Sequence, residues 1–508
     1  MVVEFSLQRW IYRLTSSKNG WRLKLKKLWR HNMQHYLNYV DGQWRDASRQ
    51  LEVINPATDK AFATVARASI EDADAAMAAA RRCVNSGALT DVRPAKRTAW
   101  MLKAAEAIRE IAEEGALILC RENGKNIDTA REEFDEAARY FEYYAGMADK
   151  VEGISVPLGK DYVDFTSYIP MGVSVQIVPW NFPVSICARS LAPALAAGNA
   201  VVIKSPEVSP LGMVLLIKAI EKAGFPQGAV NLLCGKGSEV GTHLVKHQDT
   251  NQIVFTGSVP TGQRILKDAA ERATPSVMEL GGKSAAIAFA DVDLEQLLRS
   301  VKLGIFYNSG QVCSAMSRLL VHRSRYEEVK AAVVNLAESL TVGIGESNAE
   351  LTPVVSKDQQ QQILAMIDKA REEGANVLTG GKAADLEGYF VLPTIIEATA
   401  DMSIAQEEVF GPVMVIMPFD DEDQAVAIAN GTDFGLVAGV FGENLNQTLR
   451  VANRLIAGQV FINEWFAGGI ETPFGGVGLS GFGREKGQEA IYSYVQTRNI
   501  GIRLKHSV

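Results

Sequence analysis

The stretch Gln252-Ile253-Val254-Phe255-Thr256-Gly257-Ser258 has the pattern of a buried strand that breaks at a glycine, and a helical run containing Gly262 continues from it to Ala269. Apolar and β-branched residues over this short length are typical of a strand. A strand that turns directly into a helix leaves unpaired backbone N–H groups and a positive dipole facing outward, which suits a pyrophosphate. The segment therefore predicts either a phosphate-binding turn or the same turn without a ligand.

Similar apolar runs lie on both sides of this segment and alternate with helical segments. In the first region they are Val173 to Val178, Ala200 to Ile203, Val230 to Leu233 and Ala285 to Phe289. A second alternation begins after about Gly281, with strands predicted at Val377-Leu378, Val413 to Met417, Val437 to Phe441 and Val460 to Asn463. Strands that alternate with helices pair in parallel through right-handed crossovers, so the predicted fold class is α/β.

Helix start signals support this interpretation. Tyr36 to about Lys150 predicts a strand or two followed by long alanine-rich helices, and Ser69 fits the N-cap of the first helix with Asp72 at its third position. Acidic residues from Asp420 to Asp423 precede Ala425 to Ala429, where they suit the unpaired amides of a helix N-terminus.

Length and composition limit the possible classes of protein. At 508 residues the chain is too long for one hydrophobic core, so two or three domains are expected. The net charge of -7 argues against a nucleic-acid binder, because such proteins carry basic faces. No run of about 18 apolar residues exists, so no stable membrane insertion is expected.

Charge is distributed unevenly along the chain. The first 33 residues carry eight arginines and lysines against Glu4, which gives +7 there and -14 for the remainder. We expect residues 1–33 to be a basic extension to the folded part. Three interpretations stay open: a disordered arm, a segment translated ahead of a start at Met33, or an amphipathic membrane-surface segment containing Trp21 and Trp29.

Cysteine usage indicates a reducing compartment, and hence a cytoplasmic protein. The five cysteines are odd in number, widely spaced and free of C-x-x-C, which fits neither a disulfide framework nor a zinc ribbon. Cys83, Cys120, Cys187 and Cys234 are expected to be buried hydrophobes. Cys313 differs because it lies in the flexible setting Ser309-Gly310-Gln311-Val312-Cys313-Ser314, 34 positions after Glu279. A thiol nucleophile and a base are therefore both present.

Three motifs are discounted. Gly476, Gly478 and Gly481 match G-x-G-x-x-G, but no strand leads into them and no long helix follows. Gly282-Lys283-Ser284 resembles the end of a P-loop, yet Val277 stands where that motif needs glycine. His243 and His247 have i, i+4 spacing, but Leu244 replaces the glutamate of a metalloprotease helix, so no metal is assigned.

Polar residues follow two of the predicted strands. Pro179-Trp180-Asn181-Phe182-Pro183 ends one strand and Lys204-Ser205-Pro206-Glu207 ends the next, and ligands of open α/β sheets bind outside such carboxyl ends. Lys204 and Glu207 are candidates to hold a ribose. Asn181 is a candidate donor to an oxyanion, with a turn-making role as the alternative.

Six motifs together resemble those of the NAD(P)-dependent aldehyde dehydrogenase superfamily, in order and at matching separations, from about residue 36 to 505. They are Pro179 to Pro183, Phe255 to Ser258, Glu279 to Lys283, Gly310 to Cys313, Glu407 to Pro412 and Pro473 to Gly476. The resemblance implies a Rossmann-type cofactor domain (34–154 and 170–280), an α/β catalytic domain (281–487) and a small β oligomerisation element (155–169 and 488–505). It also implies a homodimer or homotetramer.

The resemblance implies a mechanism as well. Cys313 attacks the aldehyde, the amide of Asn181 and the backbone N–H of Cys313 hold the oxyanion of the thiohemiacetal, and Glu279 activates water against the thioester. No metal is needed. The presence of Glu279 disfavours a coenzyme A-acylating relative, which does not need this base. A non-enzymatic role, as in lens proteins of this fold, would not need Cys313, Glu279 and Asn181 together.

The implied cofactor is NAD rather than NADP, because the carboxylate of Glu207 accepts hydrogen bonds from a ribose 2′-hydroxyl and repels a 2′-phosphate. The residues that the resemblance assigns to cofactor binding are Pro179, Trp180, Lys204, Glu207, Gly257, Ser258, Gly262, Leu280, Glu408 and Phe410.

The resemblance assigns the substrate tunnel to Ile186, Arg189, Tyr307, Trp465, Phe466 and Gly468. Gly468 stands where some relatives have an aromatic ring, which favours a wide tunnel and a bulky or aromatic aldehyde. Arg189 keeps a second interpretation open, because semialdehyde dehydrogenases often have arginine there, with another at the position of Tyr307. Relatives similar to benzaldehyde and vanillin dehydrogenases also carry that arginine, and Arg189 pointing away from the tunnel towards a helix partner is a further alternative.

Overall fold

The computed structural model describes residues 33–505 and consists of two large sheets, each covered by helices, with smaller sheets beside them. The basic segment predicted for residues 1–33 lies outside the described residues, apart from Met33. Within residues 33–505, the helices are too short or too polar to span a lipid bilayer.

The strands are given first, in chain order. They are β1 (Gln34–Tyr36), β2 (Asn38–Val40), β3 (Gln43–Arg45), β4 (Arg49–Asn55), β5 (Lys60–Arg67), β6 (Ser155–Val156), β7 (Tyr162–Pro170), β8 (Val173–Ile177), β9 (Ala200–Ser205), β10 (Val230–Cys234), β11 (Gln252–Thr256), β12 (Ser276–Glu279), β13 (Ala285–Ala288), β14 (Arg318–His322), β15 (Asn376–Thr379), β16 (Thr394–Glu397), β17 (Val413–Phe419), β18 (Phe434–Gly435), β19 (Val437–Phe441), β20 (Gln459–Ile462), β21 (Val477–Gly478), β22 (Gly481–Phe482) and β23 (Val495–Arg503).

The α-helices follow the same order. They are α1 (Ile70–Asn85), α2 (Pro94–Asn123), α3 (Ile127–Ala145), α4 (Pro183–Ala197), α5 (Leu211–Glu221), α6 (Thr242–Lys246), α7 (Val259–Ala270), α8 (Leu294–Val301), α9 (Tyr326–Ser339), α10 (Lys357–Glu372), α11 (Ser403–Gln406), α12 (Glu422–Asn430) and α13 (Leu445–Ala452).

The first sheet contains the segment that ends at Gly257. Among the described residues its strand order is β22-β12-β11-β8-β9-β10-β2-β3, and β8 to β12 pair in parallel. Strands β9, β10 and β11 are buried at every position, which explains why they are continuous apolar runs rather than alternating ones. The predicted parallel α/β arrangement is confirmed here.

The second sheet has the order β15-β16-β17-β14-β13-β19-β20 among the described residues, with β15 as an antiparallel edge. Strand β13 lies inside this sheet, between β14 and β19, so the grouping of Ala285 to Phe289 with the first alternation was wrong. A strand's own residues report its burial and length, but they do not report its neighbours. The chain crosses between the sheets just before β13, in the stretch that follows Glu279.

A third sheet joins distant parts of the chain. Strand β23 pairs with β7 over nine residues, from Val495 opposite Pro170 to Arg503 opposite Tyr162, and β6 pairs with the other side of β7. Tyr162, Val163 and Ile502 expose 44–45% of their surface. Val163 and Ile502 lie directly opposite each other on β7 and β23, so one face of this sheet carries exposed apolar side chains.

Local start signals act as the sequence predicts. Ser69 caps α1 by accepting from the backbone N–H of Asp72, whose carboxylate accepts in turn from the N–H of Ser69. Asp421 caps α12 in the same way through the N–H of Gln424. Strand β11 ends at Thr256 and α7 begins at Val259, so the break at Gly257 is a strand-to-helix turn.

Candidate active site

A cavity of about 270 Å³ opens at the carboxyl ends of β8 and β11. Strand β8 has β9 on one side and β11 on the other, so the strand order reverses here, and such a switch point leaves a crevice between the two following loops. The lining residues are Pro179, Trp180, Asn181, Thr256, Gly257, Ser258, Leu280, Gly281, Cys313, Gln359, Gln362, Met366, Glu408, Val409 and Phe410.

Cys313 reaches this cavity from a sharply turned loop. Asn308, Ser309 and Gly310 have positive φ angles of 49°, 54° and 71° in succession. A side chain at Gly310 would place its Cβ only 2.0 Å from the carbonyl oxygen of Gly411, so glycine is required there. The Ser309 hydroxyl donates to the carbonyl of Thr352 at 2.7 Å and anchors the turn. The loop therefore holds the half-buried Cys313 at the cavity wall.

Asn181 is held beside the cysteine loop from both ends. Its side-chain Nδ2 donates to the backbone carbonyl of Gln311 at 3.1 Å. Its backbone carbonyl accepts from Lys125 Nζ at 2.7 Å and from Asn308 Nδ2 at 3.2 Å. Because an amide nitrogen carries two hydrogens, Asn181 keeps one N–H beyond its bond to Gln311.

The support of Asn181 rests on a buried ion pair. Lys125 pairs with Glu133, and both side chains are almost completely buried. The other carboxylate oxygen of Glu133 accepts from the backbone N–H groups of Val184 (3.1 Å) and Ser185 (3.2 Å), in the first turn of α4. One pair therefore fixes both the Asn181 loop and the helix that follows it.

Glu279 ends β12 and is 2% exposed. Neither of its carboxylate oxygens has a hydrogen-bond partner among the described residues. Burial raises the pKa of Glu279 well above its usual value, and the nearby carboxylate of Glu485 raises it further. A Cβ at Gly475 would lie 2.8 Å from Glu279 Oε1, so the glycine-rich segment that includes Gly475 packs closely against this carboxylate.

Arg189 pairs with Glu485, and both side chains are buried. The guanidinium of Arg189 also donates to Thr256 Oγ1 at 3.3 Å and lies 5.3 Å from the ring centre of Phe474. The positive charge of Arg189 opposes the burial that raises the pKa of Glu279. Arg189, Glu485 and Glu279 thus form one buried charged group next to the cavity.

The Cys313 thiol is not activated by its surroundings alone. Burial raises its pKa to about 12, and the charge of Arg189 opposes this shift. A thiol in this state needs a base at the moment of reaction.

The predicted cofactor residues occupy two places. Pro179, Trp180, Gly257, Ser258, Leu280, Glu408 and Phe410 line the cavity. Lys204 and Glu207 do not; they lie at the end of β9, where Glu207 accepts from the backbone N–H of Gly237 at 2.8 Å. Gly262 lies beneath Leu280, since a Cβ there would come within 2.5 Å of a Leu280 methyl group.

The side chains around the cavity suit a nucleotide cofactor. Trp180 and Phe410 meet edge to face with ring centres 5.3 Å apart. Glu408 accepts from the backbone N–H of Gly282 at 2.9 Å, and burial raises its pKa to about 7. The first turn of α7 opens at Ser258, whose side chain makes no cap bond to that helix. Free amide donors, an aromatic pair and a carboxylate are groups that bind phosphate, a flat ring and ribose hydroxyls.

The predicted tunnel residues separate into two groups. Tyr307, Phe466 and Trp465 form a chain of rings with centres 6.3–6.4 Å apart, and Phe182 stacks on Tyr307 at 5.9 Å. Trp465 Nε1 donates to the carbonyl of Ser314, next to Cys313. Ile186 is buried within α4, Arg189 is committed to Glu485, and Gly468 adopts a φ of 102° beside Thr472.

Several functional residues escaped sequence reasoning. Glu485, Lys125 and Glu133 make their contacts with residues that are distant in the sequence or on other elements, so no local spacing predicts these contacts. Helix α10 contributes Gln359, Gln362 and Met366 to the cavity, and their i, i+3, i+7 spacing is that of any amphipathic helix. Phe182 had a detectable signal, because it lies within the quoted segment that contains Asn181.

Comparison with known proteins agrees with the fold and this arrangement. The sequence profile described as "Aldehyde dehydrogenase family" matches residues 44–500. The chain is 39% identical over 459 residues to an aldehyde dehydrogenase of Emericella nidulans, covering 90% of this chain and 92% of the relative. It is 39% identical over 468 residues to a betaine aldehyde dehydrogenase of Cereibacter sphaeroides, covering 91% and 96%.

Among solved structures, the NAD+ complex of an aldehyde dehydrogenase from Bacillus cereus superposes with a TM-score of 0.92 at 39% identity, covering 95% of this chain and 99% of that one. The fold and the site thus define an aldehyde-oxidising class of protein. The chain belongs to the aldehyde dehydrogenase family.

Proposed function

We propose that this chain oxidises an aldehyde to the carboxylic acid with NAD+, using Cys313 as a covalent nucleophile. The observation that carries the proposal is the closeness of three groups: the Cys313 thiol and the Asn181 amide line one cavity, and the buried Glu279 carboxylate lies near enough for its charge to raise the pKa of Cys313. Each corresponds to one need of the reaction, namely a nucleophile, an oxyanion donor and a base.

The first half of the reaction forms a thioester. Glu279 assists removal of the Cys313 proton, and the sulfur then bonds to the aldehyde carbon while the carbonyl oxygen becomes an oxyanion. The remaining N–H of Asn181 and the backbone N–H of Cys313 stabilise that charge, and one such donor contributes about 100-fold to 1000-fold in rate. NAD+ supplies the acceptor for the hydride that leaves the substrate carbon.

The second half releases the acid. After Glu279 has passed its first proton to solvent, it takes a proton from water as the water oxygen bonds to the thioester carbon. The carbon–sulfur bond then breaks, and the departing thiolate of Cys313 takes that proton back from Glu279. Because burial raises the pKa of Glu279, its ionised form is a stronger base than an exposed glutamate. Glu485 and Arg189 set the charge around this base.

NAD is the proposed cofactor, with NADP the less favoured alternative. Trp180, Phe410, Ser258 and Glu408 would hold its nicotinamide and phosphate parts, and Lys204 and Glu207 its adenosine ribose. The NAD+ complex of the Bacillus cereus relative supports this proposal, because the superposition covers almost the whole chain. The carboxylate of Glu207 favours a free 2′-hydroxyl.

We propose a bulky or aromatic aldehyde as the substrate. The ring cluster of Phe182, Tyr307, Trp465 and Phe466 supports this proposal, because aromatic walls bind flat apolar groups. The alternative, a carboxylate-bearing semialdehyde, would use Arg189. Its buried pairing with Glu485 leaves that charge already neutralised, which counts against the alternative.

A substrate panel with both cofactors tests these proposals. Benzaldehyde and succinic semialdehyde are compared by kcat/KM with NAD+ and with NADP+. We expect benzaldehyde with NAD+ to give the highest value. A strong preference for succinic semialdehyde would contradict the substrate proposal, and a ratio of tenfold or more in favour of NADP+ would contradict the cofactor proposal.

We also propose that the chain forms a homodimer or homotetramer and that it is located in the cytoplasm. The exposed apolar side chains of the β6-β7-β23 sheet support an oligomer, and the free cysteines support a reducing compartment.

A further inference from the structure

Two histidines and an aspartate meet on helices beside the first sheet, and none of the three lines the Cys313 cavity. Asp74 belongs to α1, His243 to α6, and His247 directly follows α6. Asp74 Oδ1 lies 2.6 Å from His243 Nε2 and 3.6 Å from His247 Nε2. One nitrogen or oxygen atom from each of the three residues lies within 4.8 Å of the other two.

We propose that Asp74, His243 and His247 form a binding site for a divalent transition-metal ion, with Zn²⁺ as the ion that this donor set suits best. Two imidazoles, one carboxylate and a water make a tetrahedral set of the kind that zinc takes, and its ligand atoms lie about 3.3 Å apart. The distances from Asp74 Oδ1 to the two histidine nitrogens, 2.6 Å and 3.6 Å, are one shorter and one longer than that value. Small rotations of three partly exposed side chains bring them to it, since their exposures are 54%, 31% and 14%.

The surroundings provide a second carboxylate behind His247. Its Nδ1 accepts from the backbone N–H of Asp249 at 3.1 Å and lies 3.9 Å from Asp249 Oδ2. When Nε2 binds an ion, Nδ1 carries the proton, and its natural partner becomes the carboxylate. That arrangement, in which a carboxylate orients a ligating histidine, supports metal sites generally.

The third ligand is what the sequence could not reveal. The pair at i, i+4 lacks a neighbouring glutamate, but the fold brings in Asp74 from 169 residues away. An ion here would join α1 to α6. Helix α6 follows the segment Gly237–Gly241, whose first N–H donates to Glu207, so the ion would hold this segment and the adjoining helices together beside the first sheet.

Calorimetric titration with Zn²⁺ tests the proposal directly. The chelator-treated Cys313→Ala variant is used, so that the nucleophile does not bind zinc. We expect one ion per chain, and we expect Asp74→Asn, His243→Gln and His247→Gln each to weaken binding at least tenfold. His35→Gln is the matched control. His35 has one aspartate partner, Asp46, at 2.9 Å, and it belongs to no group of three metal-binding side chains among the described residues.

Two further readouts separate this site from adventitious binding. Co²⁺ bound at this site gives an absorption spectrum without a thiolate charge-transfer band. Zn²⁺ raises the unfolding temperature of the Cys313→Ala variant, but it does not raise that of the same variant with His243→Gln added. Absence of saturable binding, or stoichiometric binding that survives in both His243→Gln and His247→Gln, would overturn the proposal.

Discussion

At the scale of single residues, the buried carboxyl group of Glu279 is the most unusual feature of the site. Its carboxylate has no hydrogen-bond partner among the described residues, and burial raises its pKa. A carboxyl group whose pKa is higher in the folded than in the unfolded chain binds its proton more tightly when folded. The free energy of unfolding therefore falls as pH rises from the unfolded value, about 4.3, towards the raised folded value.

Replacing Glu279 by glutamine removes this pH-dependent cost, because the amide stays neutral. We expect Glu279→Gln to raise the unfolding temperature by roughly 1–3 °C at pH 8 and by less at pH 5, because the raised pKa makes the cost of the buried glutamate grow as pH rises. Thermal unfolding of both proteins at the two pH values measures the difference. Glu106→Gln, an exposed change on α2, is the control, and an equal shift at both pH values would count against the raised pKa.

The residues predicted from the sequence were those that lie in recognisable local patterns. Asn181, Gly257, Ser258, Glu408 and Cys313 line one cavity, as the order of the motifs indicated. Arg189 shows the limit of such patterns. Its position suggested the tunnel, but its direction depends on Glu485, which lies almost 300 residues later and carries no local sign of that pairing.

At the scale of elements, the loop after β8 depends on a helix that precedes it by many residues. Lys125 lies between α2 and α3 and donates to the carbonyl of Asn181, while Glu133 on α3 accepts from the start of α4. Removing only one member of such a buried pair leaves an uncompensated charge, which costs about 3–5 kcal/mol. A test of positioning must therefore remove both charges.

We expect the double variant Lys125→Met with Glu133→Gln to lower kcat about tenfold to 100-fold, because a displaced Asn181 no longer meets the oxyanion. The KM for NAD+ should change little, since neither residue lines the cofactor cavity. Steady-state kinetics with a check of thermal unfolding measures this. The exposed pair Lys60 and Glu387, changed in the same way, is the control, and a kcat within twofold of the original would show that the pair does not position Asn181.

Strands and caps were largely predictable, whereas sheet membership was not. The capping pattern at Ser69 and the break at Gly257 are local, and both occur as expected. Strand β13 was grouped with the wrong alternation, and β22, whose range falls in the predicted catalytic segment, pairs with β12 of the first sheet. Hydrogen bonds between distant strands leave no periodic signal in either strand alone.

At the scale of the whole molecule, the β6-β7-β23 sheet is the feature that a single chain leaves unexplained. Tyr162, Val163, Phe165, Ile502 and Leu504 expose 36–45% of their surface. Apolar side chains grouped on one sheet typically mark an interface, and β23 is an open edge within the described part of the chain. This sheet is the expected contact in the proposed oligomer.

We expect the wild-type chain to elute as a dimer or tetramer, and Val163→Glu with Ile502→Glu to shift it towards the monomer, because charges cannot be buried without partners at an apolar interface. Light scattering coupled to size exclusion measures the mass. Leu102→Glu is the control, since Leu102 is 48% exposed on α2. A monomeric wild-type chain at micromolar concentration would contradict the prediction.

The proposed reaction depends on Cys313 as the nucleophile, and the rate of NADH formation tests this role most directly. NADH formation from benzaldehyde is followed for the wild type, for Cys313→Ala and for Cys187→Ala, whose thiol is fully buried in α4. We expect Cys313→Ala to lose NADH formation by about 1000-fold or more and Cys187→Ala to retain it. Substantial NADH formation by Cys313→Ala would show that Cys313 is not the nucleophile.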